Sequence, residues 1–187
     1  MMLSTYRTET ATVGSETGTS TARRLKRIER AAYRAAGHAF VGYYLFGYRS
    51  IERATRDLHD FVHNLAPEPS PADRIEGGSL EEDPACLIRA NLAGAEAEGL
   101  LTGQRCALAH NERDVVHELS LRYGPQETDT RVAWMRYLRL STRDLLWAHF
   151  PEVKALANAI LERETLSAEE IERICLEAAA AVQSQRD

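Results

Sequence analysis

Apolar residues along this 187-residue chain recur mostly at helical spacing, three or four positions apart. From Thr21 to Gly47 this spacing predicts a helix. The second half of that helix, AFVGYYLF, is apolar nearly all round, as expected in the middle of a core. The same spacing, with cap signals, predicts five further helices: 83–103, 111–122, 128–149, 150–163 and 167–181. The chain is therefore predicted to be mainly α, with six to seven helices.

Two of these helices carry clear start signals. Asp83-Pro84 supplies an N-cap followed by proline at the first helical position. Residues 167–170, SAEE, form a Ser-x-x-Glu capping box. The helix over 128–149 is predicted to turn five apolar side chains toward the core: Val132, Met135, Leu138, Leu145 and Leu146.

The segment 50–65 is open to two interpretations, because its apolar residues repeat at helical spacing and by themselves predict a seventh, short helix. The following residues, 66–83, contain several prolines and a Gly-Gly pair, which predict a flexible loop. Residues 1–20 are rich in Ser and Thr and are predicted to be a disordered tail. A single domain over 21–182 and a short tail at 183–187 remain.

Composition and charge narrow the class of protein. A net charge of −5 argues against nucleic-acid binding, which needs a basic face. Three widely spaced cysteines are typical of reduced thiols, and no apolar run is long enough to cross a bilayer. No G-x-x-x-x-G-K-[ST] motif occurs, so no ATP binding is expected. We therefore expect a cytoplasmic protein without a membrane span.

Four segments, taken in order, resemble the FtsH-type peptidases, the proteolytic part of the membrane-anchored AAA+ zinc proteases. RIERAAYRAAGHAFVGYYLFG is similar to the zinc-binding helix of that family, and NLAGAEAEGLLTGQ, 91–104, resembles its Leu-x-Gly-x-x-Ala-Glu segment. LAHNERDVVHELS, 108–120, falls where the family supplies a third zinc ligand. VKALANAILERETLSAEEI, 153–171, is close to the C-terminal pattern and is the most specific of the four. The resemblance implies a mainly helical peptidase-like domain, and the missing P-loop motif, a departure from the family, makes a free-standing domain the expectation.

The same resemblance implies that the catalytic site is degenerate. The family helix reads His-Glu-x-x-His, in which two histidines bind zinc and the glutamate is the general base. This chain has Arg34 at the first ligand position, Ala35 at the base position and His38 at the second ligand position. Glu112 would be the third ligand, with Asp114 as the alternative. Arginine has no free lone pair for a metal and alanine moves no proton, so neither catalytic zinc nor activity is expected.

Two structural expectations accompany this interpretation. Arg34 is predicted to point at Glu112 across the former metal site, as a guanidinium–carboxylate pair that joins two helices without metal. The alternative is that Arg34 extends into solvent beside Arg30. The resemblance also places a short strand pair, a small β-hairpin, near 49–65, and we prefer this strand to the helix that the local pattern predicts.

A second motif leaves a catalytic alternative open. HDFVH is His-Asp-x-x-His, which places His59 and His63 on one face of a helix or of a strand. These two histidines could bind zinc, with His38 and Glu112 as further ligands and Asp60 as the base. The sequence therefore predicts first a pseudoenzyme that binds a protein or peptide segment. An active metallopeptidase and a structural, self-associating helical protein are the alternatives.

Overall fold

The computed structural model describes residues 16–46, 53–55, 83–163 and 165–184. Within these ranges the protein is mainly α, as predicted, with six helices and two short strands. In chain order they are α1 (Glu16–Phe46), β1 (Arg53–Thr55), α2 (Pro84–Thr102), α3 (His110–Tyr123), α4 (Thr128–Ala148), α5 (Phe150–Arg163), β2 (Thr165–Ser167) and α6 (Ala168–Ser184).

The starts of α2 and α6 follow their local cap signals closely. The Asp83 carboxylate accepts a hydrogen bond from the Ala85 backbone N–H (3.0 Å), which caps α2. At the start of α6, the Ser167 backbone N–H donates to Glu170 (2.8 Å) and the Glu170 backbone N–H donates to the Ser167 hydroxyl (3.3 Å). The predicted capping box is therefore present.

Helix α1 is the central element, packed against both α2 and α5. The contact with α2 is close because Gly37 faces it: a Cβ there would lie 2.5 Å from the Ala97 Cβ and 2.6 Å from the Ala93 carbonyl oxygen. The larger apolar cluster fills the space around this crossing, with α1, α2, α5 and α6 all contributing side chains. The backbones of α1 and α2 therefore lie so close together that polar side chains of one helix can reach the other.

Helix α4 covers α2 from another direction. It buries Leu138, Thr142 and Leu146, one turn apart along a narrow stripe. Val132 was predicted to point inward and does not, since 63% of its surface is exposed. It lies at the edge of the buried stripe and close to the helix start, where little covers it.

Residues 53–55 form a strand, in agreement with the preferred interpretation of the segment 50–65. Strand β1 pairs antiparallel with β2, with Ala54 opposite Leu166. This pairing joins distant parts of the chain and is not the local hairpin that was predicted. The rest of 49–65, like the predicted loop up to residue 82, lies outside the described residues.

Helix α1 begins earlier than predicted. Its first residue is Glu16, so residues 16–20, which were assigned to the tail, are helical. Extending a formed helix adds one hydrogen bond for each residue fixed, which favours such an extension even through Ser and Thr. The remainder of the predicted tail, 1–15, and residues 185–187 lie outside the described ranges.

Candidate functional site

Arg34 and His38 lie one turn apart on the same face of α1, and both contact Glu112 in the first turn of α3. The Arg34 Nη2 donates to Glu112 Oε2, and its Nε donates to Glu112 Oε1 at 3.2 Å. His38 Nε2 lies 2.9 Å from the same Oε1. The predicted bidentate pair between Arg34 and Glu112 is thus present, and it joins α1 to α3.

The remaining donors of Arg34 are also used. Its Nη1 donates to Glu98 Oε2 of α2 at 2.9 Å and to the Ala107 carbonyl at 3.1 Å. Only 12% of the Arg34 side chain is exposed, so the alternative in which it extends into solvent is wrong. Arg30, one turn earlier, is half-exposed and binds the other oxygen of Glu98, with Nε at 2.7 Å. The network therefore connects three helices.

A close approach at Gly94 makes room for these side chains. A Cβ at that position of α2 would overlap with His38 Nε2 and would lie 2.8 Å from Arg34 Cγ. Glycine is the residue that lets a neighbouring side chain lie directly on the helix backbone. Gly94 is one of the positions matched in the Leu-x-Gly-x-x-Ala-Glu segment, and its role in this fold is steric.

His38 has an acceptor at each ring nitrogen. Nδ1 lies 2.8 Å from the Ala90 carbonyl oxygen and Nε2 lies 2.9 Å from Glu112 Oε1, and the side chain has no exposed surface. A carbonyl oxygen and a carboxylate oxygen both accept, so each ring nitrogen faces a group to which it can donate. The His38 ring is thereby held between the backbone of α2 and the Glu112 carboxylate of α3.

Glu112 is fully buried and is held as a carboxylate by its neighbours. Burial alone would raise the pKa of its carboxyl, but the hydrogen bond and charge of His38, together with Arg34, outweigh burial and lower the pKa below its ordinary value. Glu112 Oε2 also accepts from the Ala109 backbone N–H at 2.7 Å, at the start of α3. Because a helix N-terminus favours a negative charge, this position adds to the stabilisation.

The other positions named by the sequence fall in different surroundings. Ala35 has no exposed surface and belongs to the larger apolar cluster. Asp114 is largely exposed and faces His110 at 3.4 Å, so Glu112, and not Asp114, is the carboxylate that meets His38. His59, Asp60 and His63 lie outside the described residues.

The residues at this site do not fit a catalytic zinc ion. Such an ion takes three protein ligands and a water, whereas of the three positions that the resemblance assigns to ligands only His38 and Glu112 carry atoms able to bind it. The third position is occupied by Arg34, whose guanidinium already engages Glu112. Within the described ranges, no group of three or more His, Cys, Asp or Glu side chains is arranged to hold a metal ion.

Sequence reasoning missed the role of Glu98 as the second counter-ion of Arg34. A signal was available, since Arg30 and Arg34 lie one turn apart on a helix whose neighbouring positions are apolar. Two such cations beside a core require carboxylates from another element. Glu96 of α2 forms a separate buried pair, with Arg139 of α4.

Comparison of the chain with protein-family models and with curated proteins gave no match. The resemblance to FtsH-type peptidases therefore rests on the four sequence segments alone. In the part of the chain that the structure describes, no helix combines the length and the apolar character needed to cross a bilayer.

Proposed function

We propose that this chain is an FtsH-like peptidase domain in which a buried ion network stands at the positions of the zinc site. We further propose that it binds a protein segment without hydrolysing it. The observation that carries the proposal is the convergence of Arg34 and His38 on Glu112. These are the three positions that the resemblance assigns to zinc ligands, and in the fold Arg34 and His38 both lie within hydrogen-bond distance of Glu112.

The chemistry of the network supports a binding role over a hydrolytic one. A zinc peptidase needs a metal-bound water, whose pKa the metal brings to about 7, and a base that accepts its proton. Arg34 supplies a fixed positive charge where a ligand would be needed, and Ala35 has no proton-accepting group. Ion pairing joins α1 to α3 directly, so this fold does not need a metal to hold the two helices together.

The partner class follows from the resemblance. A peptidase domain holds an extended segment of its substrate, and a domain that keeps this fold without the catalytic groups would keep the capacity to bind such a segment. We expect fluorescently labelled peptides from an unfolded protein to bind the chain, as measured by fluorescence anisotropy. The same peptides should remain intact by mass spectrometry after incubation with zinc. Cleavage by the wild-type chain would contradict the proposal.

The structural part of the proposal is tested by Arg34→His. This change removes the guanidinium and places an imidazole one turn from His38, opposite Glu112, which restores a three-ligand set. We expect the variant to bind one zinc ion per chain and the wild type to bind none, by metal analysis after dialysis. Free zinc at about 100 times the dissociation constant should raise the free energy of unfolding of the variant by roughly 2.7 kcal/mol.

The matched control is the double variant Arg34→His/His38→Ala, which should lose the acquired zinc. Ala35 is left unchanged, because a carboxylate at this fully buried core position would destabilise the fold for reasons unrelated to zinc. Arg34→His that folds but binds no zinc would show that the positions are not those of a metal site. Stoichiometric zinc in the wild type that is lost in His59→Ala would instead favour the HDFVH motif.

A further inference from the structure

Exposed residues form a stripe along the face of α4 that points away from the core. Leu140 and Trp147 are 51% and 68% exposed, although both are large and apolar. Exposed large apolar side chains that form a contiguous stripe mark an interaction surface more often than isolated ones do. The stripe, called the outer stripe below, consists of five exposed residues: Ala133, Arg136, Leu140, Asp144 and Trp147.

The outer stripe is symmetric about its centre. Arg136 and Asp144 each lie four residues from Leu140, and Ala133 and Trp147 each lie seven residues from it. At about 100° per residue, all four lie within roughly 40° of Leu140 around the helix. The buried stripe of α4, which contains Leu138, lies on the opposite side.

The two charged side chains of the outer stripe, Arg136 and Asp144, have no salt-bridge partner among the residues that the structure describes. The neighbouring Arg139 and Arg143, by contrast, both face Glu96 of α2. A positive charge is therefore exposed four residues before Leu140, and a negative charge is exposed four residues after it. The two charges are too far apart to pair with each other, since eight residues span about 12 Å of helix.

We propose that the outer stripe binds the outer stripe of a second copy of this chain, with the two α4 helices antiparallel and a two-fold axis at Leu140. A two-fold interface pairs residue i with residue j and residue j with residue i. Arg136 then meets Asp144 of the second copy, and the reverse pair forms on the other side of the axis. Leu140 packs on its own counterpart, and the small side chain of Ala133 leaves room for the Trp147 ring.

Charge complementarity selects this occupant. In a parallel pairing of two copies, Arg136 would face Arg136 and Asp144 would face Asp144, which is repulsive in both places. The antiparallel arrangement turns both contacts into attractions and buries the exposed leucine and tryptophan. One helix from each copy gives less than the roughly 800 Å² per partner of a standard interface, so the dimer is expected to dissociate on dilution.

Sedimentation velocity of the full chain, from low micromolar to near-millimolar concentration, tests this inference independently of the proposed function. The wild type should shift from monomer to dimer. Arg136→Glu places like charges opposite each other twice per dimer and should raise the dimer dissociation constant at least tenfold. Arg136→Glu/Asp144→Arg restores opposite charges and should bring the dissociation constant back toward that of the wild type.

Arg105→Glu is the control, because it makes the same charge change at an exposed residue outside the outer stripe. It should leave the dissociation constant unchanged. Circular dichroism of each variant checks that the helices remain formed. Three outcomes would each overturn the inference: a wild type that stays monomeric, a dimer that survives Arg136→Glu, or a double variant that does not regain dimerisation. The outer stripe would then bind a different partner.

Discussion

Glu112 is the residue on which the buried network depends, because it contacts Arg34 and His38 of α1 and the backbone N–H of Ala109 at once. A carboxylate with no exposed surface is stable only where such donors replace water. Their combined effect lowers the pKa of Glu112, although burial opposes it. The folded protein therefore binds fewer protons at this site than the unfolded chain does in moderately acidic solution.

This difference predicts the acid stability of the protein. Because the pKa is lower in the folded state, the stabilisation from Glu112 is complete above the unfolded value of about 4.3 and is lost as the pH falls through the folded value. We expect urea denaturation midpoints to fall below about pH 4.3. In Glu112→Gln the midpoint should fall less steeply with decreasing pH, because glutamine has no carboxylate to protonate. Glu118→Gln, an exposed change on the same helix, should keep the wild-type slope, and identical slopes in all three proteins would contradict this account.

At the scale of single residues, the sequence predicted the pair between Arg34 and Glu112 but not the contact between Arg34 and Glu98. The register of α1 and a resemblance to a known motif were enough to pair Arg34 with Glu112. Glu96 and Glu98, two residues apart on α2, are both buried, and each is neutralised by arginines of a different helix. Which arginine a carboxylate meets depends on the arrangement of the helices, which no local pattern records.

Between elements, the α1–α2 contact is the feature that places Arg34 and His38 against α2. Helix ends could be predicted because caps are local: Asp83 and Ser167 act within three residues of their own positions. The β1–β2 pairing could not, because strand pairing between distant segments leaves no signal in either segment. The close packing of α1 on α2 was signalled only by small residues such as Gly37, which have several possible explanations.

Gly37→Ala tests how much that packing matters. A methyl group there would meet the Ala97 Cβ at 2.5 Å and the Ala93 carbonyl at 2.6 Å, and the carbonyl belongs to a helix backbone that moves little. We expect the free energy of unfolding to fall by about 1–3 kcal/mol, as for other overpacked sites. Helix propensity alone predicts the opposite sign, a gain of up to about 1 kcal/mol.

Chemical denaturation measures the change, and Ala179→Gly on the exposed face of α6 calibrates the propensity contribution without any packing change. If Gly37→Ala stabilises the protein by as much as Ala179→Gly destabilises it, the helices are not in contact at this point.

For the molecule as a whole, the core divides into two apolar clusters. The larger one is built around α1, with Ile160 of α5 among its fully buried members. The smaller one contains Ile88, Leu92, Val116 and Leu138, and it is the cluster on which α3 packs. The helical class of the fold was predictable because nearly every segment repeats at 3.6 residues. The division into clusters was not, since it follows from which helices meet.

Native-state hydrogen exchange should separate the two clusters. Helix α3 buries only Glu112, Val116 and Ser120, so we expect its amides to exchange through a local opening of lower free energy than unfolding of the whole chain. Ile160→Val should lower the free energy of exchange of the α5 amides by about 0.5–1.5 kcal/mol. It should leave α3 unchanged, because the open form of α3 keeps the packing around Ile160. Val116→Ala should lower the exchange free energy of α3 directly. If instead Ile160→Val lowers protection equally in both helices, α3 opens only when the larger cluster does, and the ion network of Glu112 is as stable as the core itself.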